Sequence, residues 1–185
     1  MPVTITVYGG AGEIGGNKIL LEDRDTRLLL DFGISLGFRG RYYEEFLNPR
    51  APLGLLDPLV MGLLPPLRGL YREDLVAGPE VWKRMRTHPH YREVPEVDGV
   101  LLTHAHVDHS GAIAFLKETI PVYATRMTAF VAKAMQDVGG LDLEREVAYI
   151  SPRVPATAGC WRPTGGPTCS GLSPSWTARR SSPRG

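Results

Sequence analysis

The sequence predicts an α/β fold, and three observations carry that prediction. Short apolar runs or alternations recur at residues 3–7, 19–21, 28–30 and 100–102, which is a strand signature. From residue 98 to 139 the pattern reads strand, helix, strand, helix, the organisation of a sheet with helices against it. The third observation is a placement. His104, His106, Asp108 and His109, four side chains of metal-ligating type, follow directly on the apolar run Val100-Leu101-Leu102.

The elements can be justified in order. Val3, Ile5 and Val7 alternate with Thr4 and Thr6, which predicts a first strand. Residues 9–17 follow as a glycine-rich loop. Residues 19–21 and 28–30 predict a hairpin turned around 23–26 and closed by Asp31-Phe32-Gly33. Residues 36–96 break the pattern with Pro, Gly, aromatic residues and Arg, and read as an insertion with short helices near 42–47 and 79–86. Within it, the leucine-rich stretch 53–70 is expected to pack onto the domain, as leucine-rich faces usually do. Residues 100–103 predict a buried strand that ends on the histidines. Ile113, Leu116 and Ile120 share one face of a helix expected over 110–119, and Val122-Tyr123-Ala124 reads as another strand. Thr125 then caps a helix over 126–137. Met127, Phe130, Val131, Ala134, Met135 and Val138 give it an apolar stripe, and Gly139 ends it.

Charge and composition divide the chain. Residues 1–150 hold 16 Lys and Arg against 20 Asp and Glu, a net of −4, whereas residues 151–185 hold five Arg and no acid. The body therefore lacks the global basic signature of a nucleic-acid binder. Both cysteines, Cys160 and Cys169, lie after residue 150 at a spacing that is not that of a zinc knuckle; a disulfide between them is open. A cysteine-free body fits a reducing cytoplasm. The first residues have neither a basic segment nor a long apolar one, so no signal peptide is expected. The longest apolar stretch, near 53–64, is broken by Asp57 and Pro58 and is too short to span a bilayer.

Residues 151–185 contain six Pro, five Gly, six Ser and five Arg, and no Asp, Glu, Lys or His. No hydrophobic period is visible there. A tail without stable structure is expected. Pro, Gly, Ala and Arg have GC-rich codons, so a shifted reading frame or a truncation accounts for this composition.

The four residues of the motif suit zinc, which takes imidazole and carboxylate ligands. His104 and His106, two apart on an extended segment, project to the same side and can grip one ion. Asp108 and His109, where the strand turns into a helix, can grip a second. Two ions about 3.5–4 Å apart can clamp a scissile phosphate or carbonyl.

At these residues the chain resembles the metallo-beta-lactamase superfamily, whose HxHxDH signature is matched by His104, His106, Asp108 and His109. Asp31 matches the family's first motif, a structural aspartate that supports the metal loop. The loop Gly9-Gly10-Ala11-Gly12-Glu13-Ile14-Gly15-Gly16-Asn17 is similar to that of beta-CASP nucleases, and most similar to ribonuclease J-like enzymes. The resemblance runs from Val3 to about Ile150. It implies the N-terminal half of an αββα sandwich over 1–150, with 36–96 inserted, and two-zinc hydrolysis of RNA phosphodiester bonds, with Mn2+ as another metal. It implies His104 and His106 on one zinc, Asp108 and His109 on the other, and Asp108 orienting the attacking water. The family pattern also calls for a third histidine, a bridging aspartate and further distal histidines. His109, however, is the last histidine of the chain, and there is no room for a beta-CASP domain. A glyoxalase II-like thioesterase and a non-catalytic truncated product are the alternatives, and a homo-oligomer is left open.

Weaker signals surround this one. Gly10-Ala11-Gly12-Glu13-Ile14-Gly15 fits the dinucleotide fingerprint, but a strand rather than a helix is expected after it. Residues 84–92 are locally basic and could touch RNA phosphates; a solvated loop is the favoured reading. His88 and His90 mimic HxH, but the intervening Pro89 and the lack of nearby acids argue against a metal site.

Overall fold

The computed structural model describes residues 2–43, 53–76, 78–139 and 143–151, and the backbone of 153–157 and 160–163. Strands β1 (Thr4–Gly9), β2 (Lys18–Asp23) and β3 (Thr26–Phe32) form an antiparallel meander. Helices α1 (Leu36–Arg39) and α2 (Leu56–Val60), strand β4 (Leu67–Arg68), helix α3 (Glu80–Met85) and strand β5 (Arg92–Glu93) lie within residues 36–96. Next come β6 (Gly99–Leu101), α4 (Val107–Ser110), β7 (Val122–Tyr123) and α5 (Arg126–Gly139). The main sheet has the order β1-β2-β3-β6-β7, with β6 parallel to both β3 and β7. This is the predicted α/β class. A strand, β2, follows the glycine loop, so the dinucleotide reading fails where expected.

The leucine-rich stretch packs as its composition demands. Leu55, Leu59, Leu64, Leu67 and Leu70 are all buried and join Leu29, Phe32 and Val100 of the sheet in one core. α3 lies where a short helix was expected. The helix expected near 42–47 falls largely outside the described residues. Residues 84–92 are mostly exposed, as a solvated loop should be.

Two expectations are corrected. The helix over 110–119 is only α4, followed by a 3-10 turn at Ile113–Phe115. Tertiary backbone bonds take the place of helical ones there: Ala112 N–H donates to the Phe32 carbonyl at 2.9 Å and Lys117 N–H to that of Leu70 at 3.0 Å. The second correction concerns α5. Its cap is as expected, with Thr128 N–H donating to Thr125 Oγ1 at 3.1 Å. Its buried face, however, is Thr128, Ala132 and Gln136, while Met127 and Phe130 of the apolar stripe are each 70 % exposed. Gln136 explains the inversion, because its side chain accepts from Ala148 N–H and donates to the Tyr149 carbonyl, tying 148–149 to the helix. The apolar face of β1, with Val3, Ile5 and Val7, is exposed likewise.

Two further strands follow residue 151. Strands β8 (Arg153–Thr157) and β9 (Cys160–Pro163) pair antiparallel, and the Ser151 carbonyl before them accepts from the buried Arg72 guanidinium at 3.1 Å. Val154 and Trp161, both good strand formers, lie within this hairpin. Residues 164–185 lie outside the described residues.

Candidate metal centre

The site begins with a β-bulge. Between β2 and β3 the register steps from Ile19↔Leu30 to Lys18↔Phe32, which leaves Asp31 as the extra residue. Asp31 sits at φ 57°, in the left-handed region that aspartate tolerates better than most residues. A bulge re-aims the side chain it carries. Here it turns a buried carboxylate towards the loop after β6. Asp31 Oδ1 accepts Thr103 N–H at 2.8 Å, and Oδ2 accepts both the Thr103 hydroxyl at 2.9 Å and His109 Nδ1 at 2.8 Å.

These bonds assign two tautomers. A carboxylate can only accept, so His109 carries a proton on Nδ1, and in the neutral ring Nε2 is the lone pair. The Thr103 hydroxyl gives its proton to Asp31 and therefore accepts from His104 Nδ1, 2.9 Å away. In the neutral His104 ring Nε2 is likewise the lone pair. One buried aspartate thus orients two imidazoles, directly and through Thr103.

The remaining residues are placed by the turn into α4. Ala105 is buried, so His104 and His106 flank it and share a side, as their spacing predicted. Their ring centroids are 4.7 Å apart, and His104 lies 4.0 Å from the His109 ring. His106 precedes α4, and its carbonyl accepts His109 and Ser110 N–H at 2.9 Å each. Asp108 Oδ2 lies 3.6 Å from His109 Nε2. Three imidazoles and a carboxylate thus share one loop. His104 stands beside both partners, and the arrangement does not divide the four into two pairs. Among the described residues no group of three His, Cys, Asp or Glu side chains is arranged to hold a metal ion. The donor chemistry fits zinc; the cluster as it stands is open.

The glycine loop reaches this site and packs against the backbone at Asp108. Gly16 N–H donates to the Asp108 carbonyl at 2.8 Å, and the Asn17 amide lies 3.3 Å from His109 Nδ1. A Cβ on Gly15 would overlap the Asp108 side chain, and one on Gly33 the Asp108 carbonyl. Sequence reasoning missed Thr103 and Lys18. Lys18 is buried on the same face of β2 as Leu20, and a lysine in phase with a buried leucine was the available signal. His88 and His90 lie away from the cluster, and His88 Nδ1 is engaged by His90 N–H at 3.2 Å.

Residues 74–157, which include this whole cluster, match the family described as beta-lactamase superfamily domain. This stretch is thus similar to the beta-lactamase superfamily. The chain's sheet and helices form a partial metallo-beta-lactamase fold. The match continues seven residues past the boundary expected at 150. Ribonuclease J of Helicobacter pylori strains 26695 and J99 is 26 % identical over 160 residues, covering 85 % of this chain. The chain spans only 18 % of the length of those relatives. Among solved structures, a protein of unknown function from Enterococcus faecalis V583 shares the fold, with a TM-score of 0.51 at 24 % identity over 74 % of this chain and 28 % of that one. Among the described residues no helix is long and apolar enough to cross a membrane.

Proposed function

We propose that this chain carries the metal-binding segment of a two-zinc hydrolase of RNA. The similarity of residues 74–157 to the beta-lactamase superfamily supports a metallohydrolase, and the similarity to ribonuclease J supports RNA as the substrate. The observation that carries the reading is the Asp31 network, which engages the Nδ1 atoms of His109 and, through Thr103, of His104 on one loop.

In this reading His104, His106, Asp108 and His109 hold the metal, zinc or manganese. When bound, the metal supplies Lewis acidity to the phosphodiester and makes water a nucleophile near neutral pH. Asp108 orients the attacking water. Asp31 holds the His109 ring, and Gly16 holds the backbone at Asp108. The domain occupies 1–150 with 36–96 inserted, in a cytoplasmic protein, and the composition after residue 151 reflects a shifted frame. The other reading frames of the downstream DNA should then encode the missing His and Asp motifs.

The test is cleavage of single-stranded RNA with zinc or manganese and chelator controls. A chain with the distal half restored should cleave, and His104→Ala or Asp108→Ala should abolish that activity. Residues 1–185 alone should cleave feebly or not at all. A restored chain that spares RNA but hydrolyses thioesters would replace this reading with the glyoxalase II-like one. The open donor set favours one other reading, that of a product with no hydrolytic activity of its own.

A further inference from the structure

Between the glycine loop and residues 59–66, with His88 and His90 also in its lining, is a cavity of about 290 Å³, close to the lower end of the roughly 300–1,000 Å³ range of small-molecule sites. None of the four motif residues lines it. Leu59, Leu63, Leu64 and Pro65 of the inserted stretch form an apolar wall, and Lys18, Glu13 and Ser35 form a polar end. Lys18 is only 3 % exposed.

The ammonium group there is under-satisfied. It has three N–H donors, yet among the described residues its one hydrogen bond is to the Gly16 carbonyl, at a long 3.4 Å. The Phe32 ring, 5.7 Å away, adds a weak cation–π contact. Glu13 is the nearby counter-charge, but its oxygens accept Gly10 N–H and the Ser35 hydroxyl, and Lys18 makes no hydrogen bond to it. A buried cation with idle donors is costly unless an acceptor meets it. Burial pushes the Lys18 pKa down to about 8, with the Glu13 charge opposing, which agrees with an ammonium short of partners.

We propose that this cavity binds an organic anion, with its carboxylate or phosphate oxygens on Lys18 Nζ and its apolar body against Leu59, Leu63 and Leu64. The site is distinct from the metal cluster but touches it through one peptide residue. Gly16 accepts from Lys18 on its carbonyl and donates its N–H to the Asp108 carbonyl.

Isothermal titration of the 185-residue chain tests this, with octanoate and phenyl phosphate as anionic probes and octylamine as a cationic control of like apolarity. EDTA is present throughout, so that no probe is held by a metal. Octanoate or phenyl phosphate should bind and octylamine should not. The better of the two anions identifies the headgroup. Lys18→Met should weaken anion binding by about tenfold or more, since a charge-assisted hydrogen bond is lost. Glu13→Gln should tighten it. Should Lys18→Met fail to fold, Leu63→Trp, which fills the apolar arm, must abolish octanoate binding instead. Equal binding of octylamine, unchanged binding in Lys18→Met, or no heat from either anion would overturn the proposal.

Discussion

Asp31 accepts the Nδ1 proton of His109 at 2.8 Å from a backbone held in the left-handed region. The two residues are 78 apart in sequence. The bulge between β2 and β3 brings them together, because it turns a residue of the buried strand out of its register and towards the histidine loop.

Asp31→Asn should therefore weaken zinc binding without removing a ligand. An amide presents only one acceptor oxygen; if it keeps the Thr103 hydroxyl and His109, its NH2 meets the Thr103 N–H donor to donor. Loss of a partner behind a metal-binding histidine typically costs about 10–100-fold in affinity. Thr103→Val should do the same to a smaller degree, since it releases only His104. Competition against a chromophoric chelator measures both, and unchanged affinity in Asp31→Asn would refute the tautomer assignment.

The chain as it stands should take up at most about one tight equivalent of zinc, because four donors cannot complete two roughly four-coordinate sites. Calorimetric titration gives the stoichiometry. Two tight equivalents would mean that residues such as His88 or His90 join the cluster.

Gly33→Ala should destabilise the fold and disturb the histidine loop together. The added Cβ would overlap the backbone carbonyl of Asp108, and backbone yields less readily than a side chain. Overpacking of this kind costs about 1–3 kcal/mol or more. Urea denaturation should show the loss, and the zinc affinity of the folded fraction should fall with it.

On α5 the usual rule is inverted. Phe130→Ser removes an exposed aromatic residue and should change stability by no more than about 0.5 kcal/mol. Gln136→Ala, nominally the milder change, leaves Ala148 N–H without its acceptor in a buried place and should cost about 1–3 kcal/mol. Thermal or chemical denaturation of the two variants side by side decides it; a larger loss in Phe130→Ser would show that the stripe is covered in solution.

Lys18 should make stability depend on alkaline pH. The unfolded chain keeps this proton up to about 10.5, whereas the folded chain releases it at about 8. Between those values the unfolded state binds more protons, so this residue's contribution improves as pH rises through that window. Below pH 8 the cost of the buried charge is present in full. Lys18→Met should then gain up to roughly 3 kcal/mol at pH 7, and the gain should fade towards pH 10.5. Denaturation midpoints at pH 7 and pH 10.5 check the sign.

What the sequence by itself determined is local. Alternation at 3–7, the apolar triplets of the hairpin, the Thr125 cap and the HxHxDH spacing each follow from residues within a turn or a strand of one another. Those features place the strands, α5 and the shared side of His104 and His106. Tertiary structure decided everything that depends on distant partners. A period of 3.6 marks two faces of a helix but does not say which is covered, and in α5 the Gln136 bonds to 148–149 bury the polar one. A lysine in a strand reads as solvent-facing, yet Lys18 is buried at one end of a cavity whose other wall comes from residues 59–65. Asp31 could be named from its motif. That its carboxylate sets the proton on His109, and through Thr103 on His104, rests on a bulge whose register only the paired strands can fix.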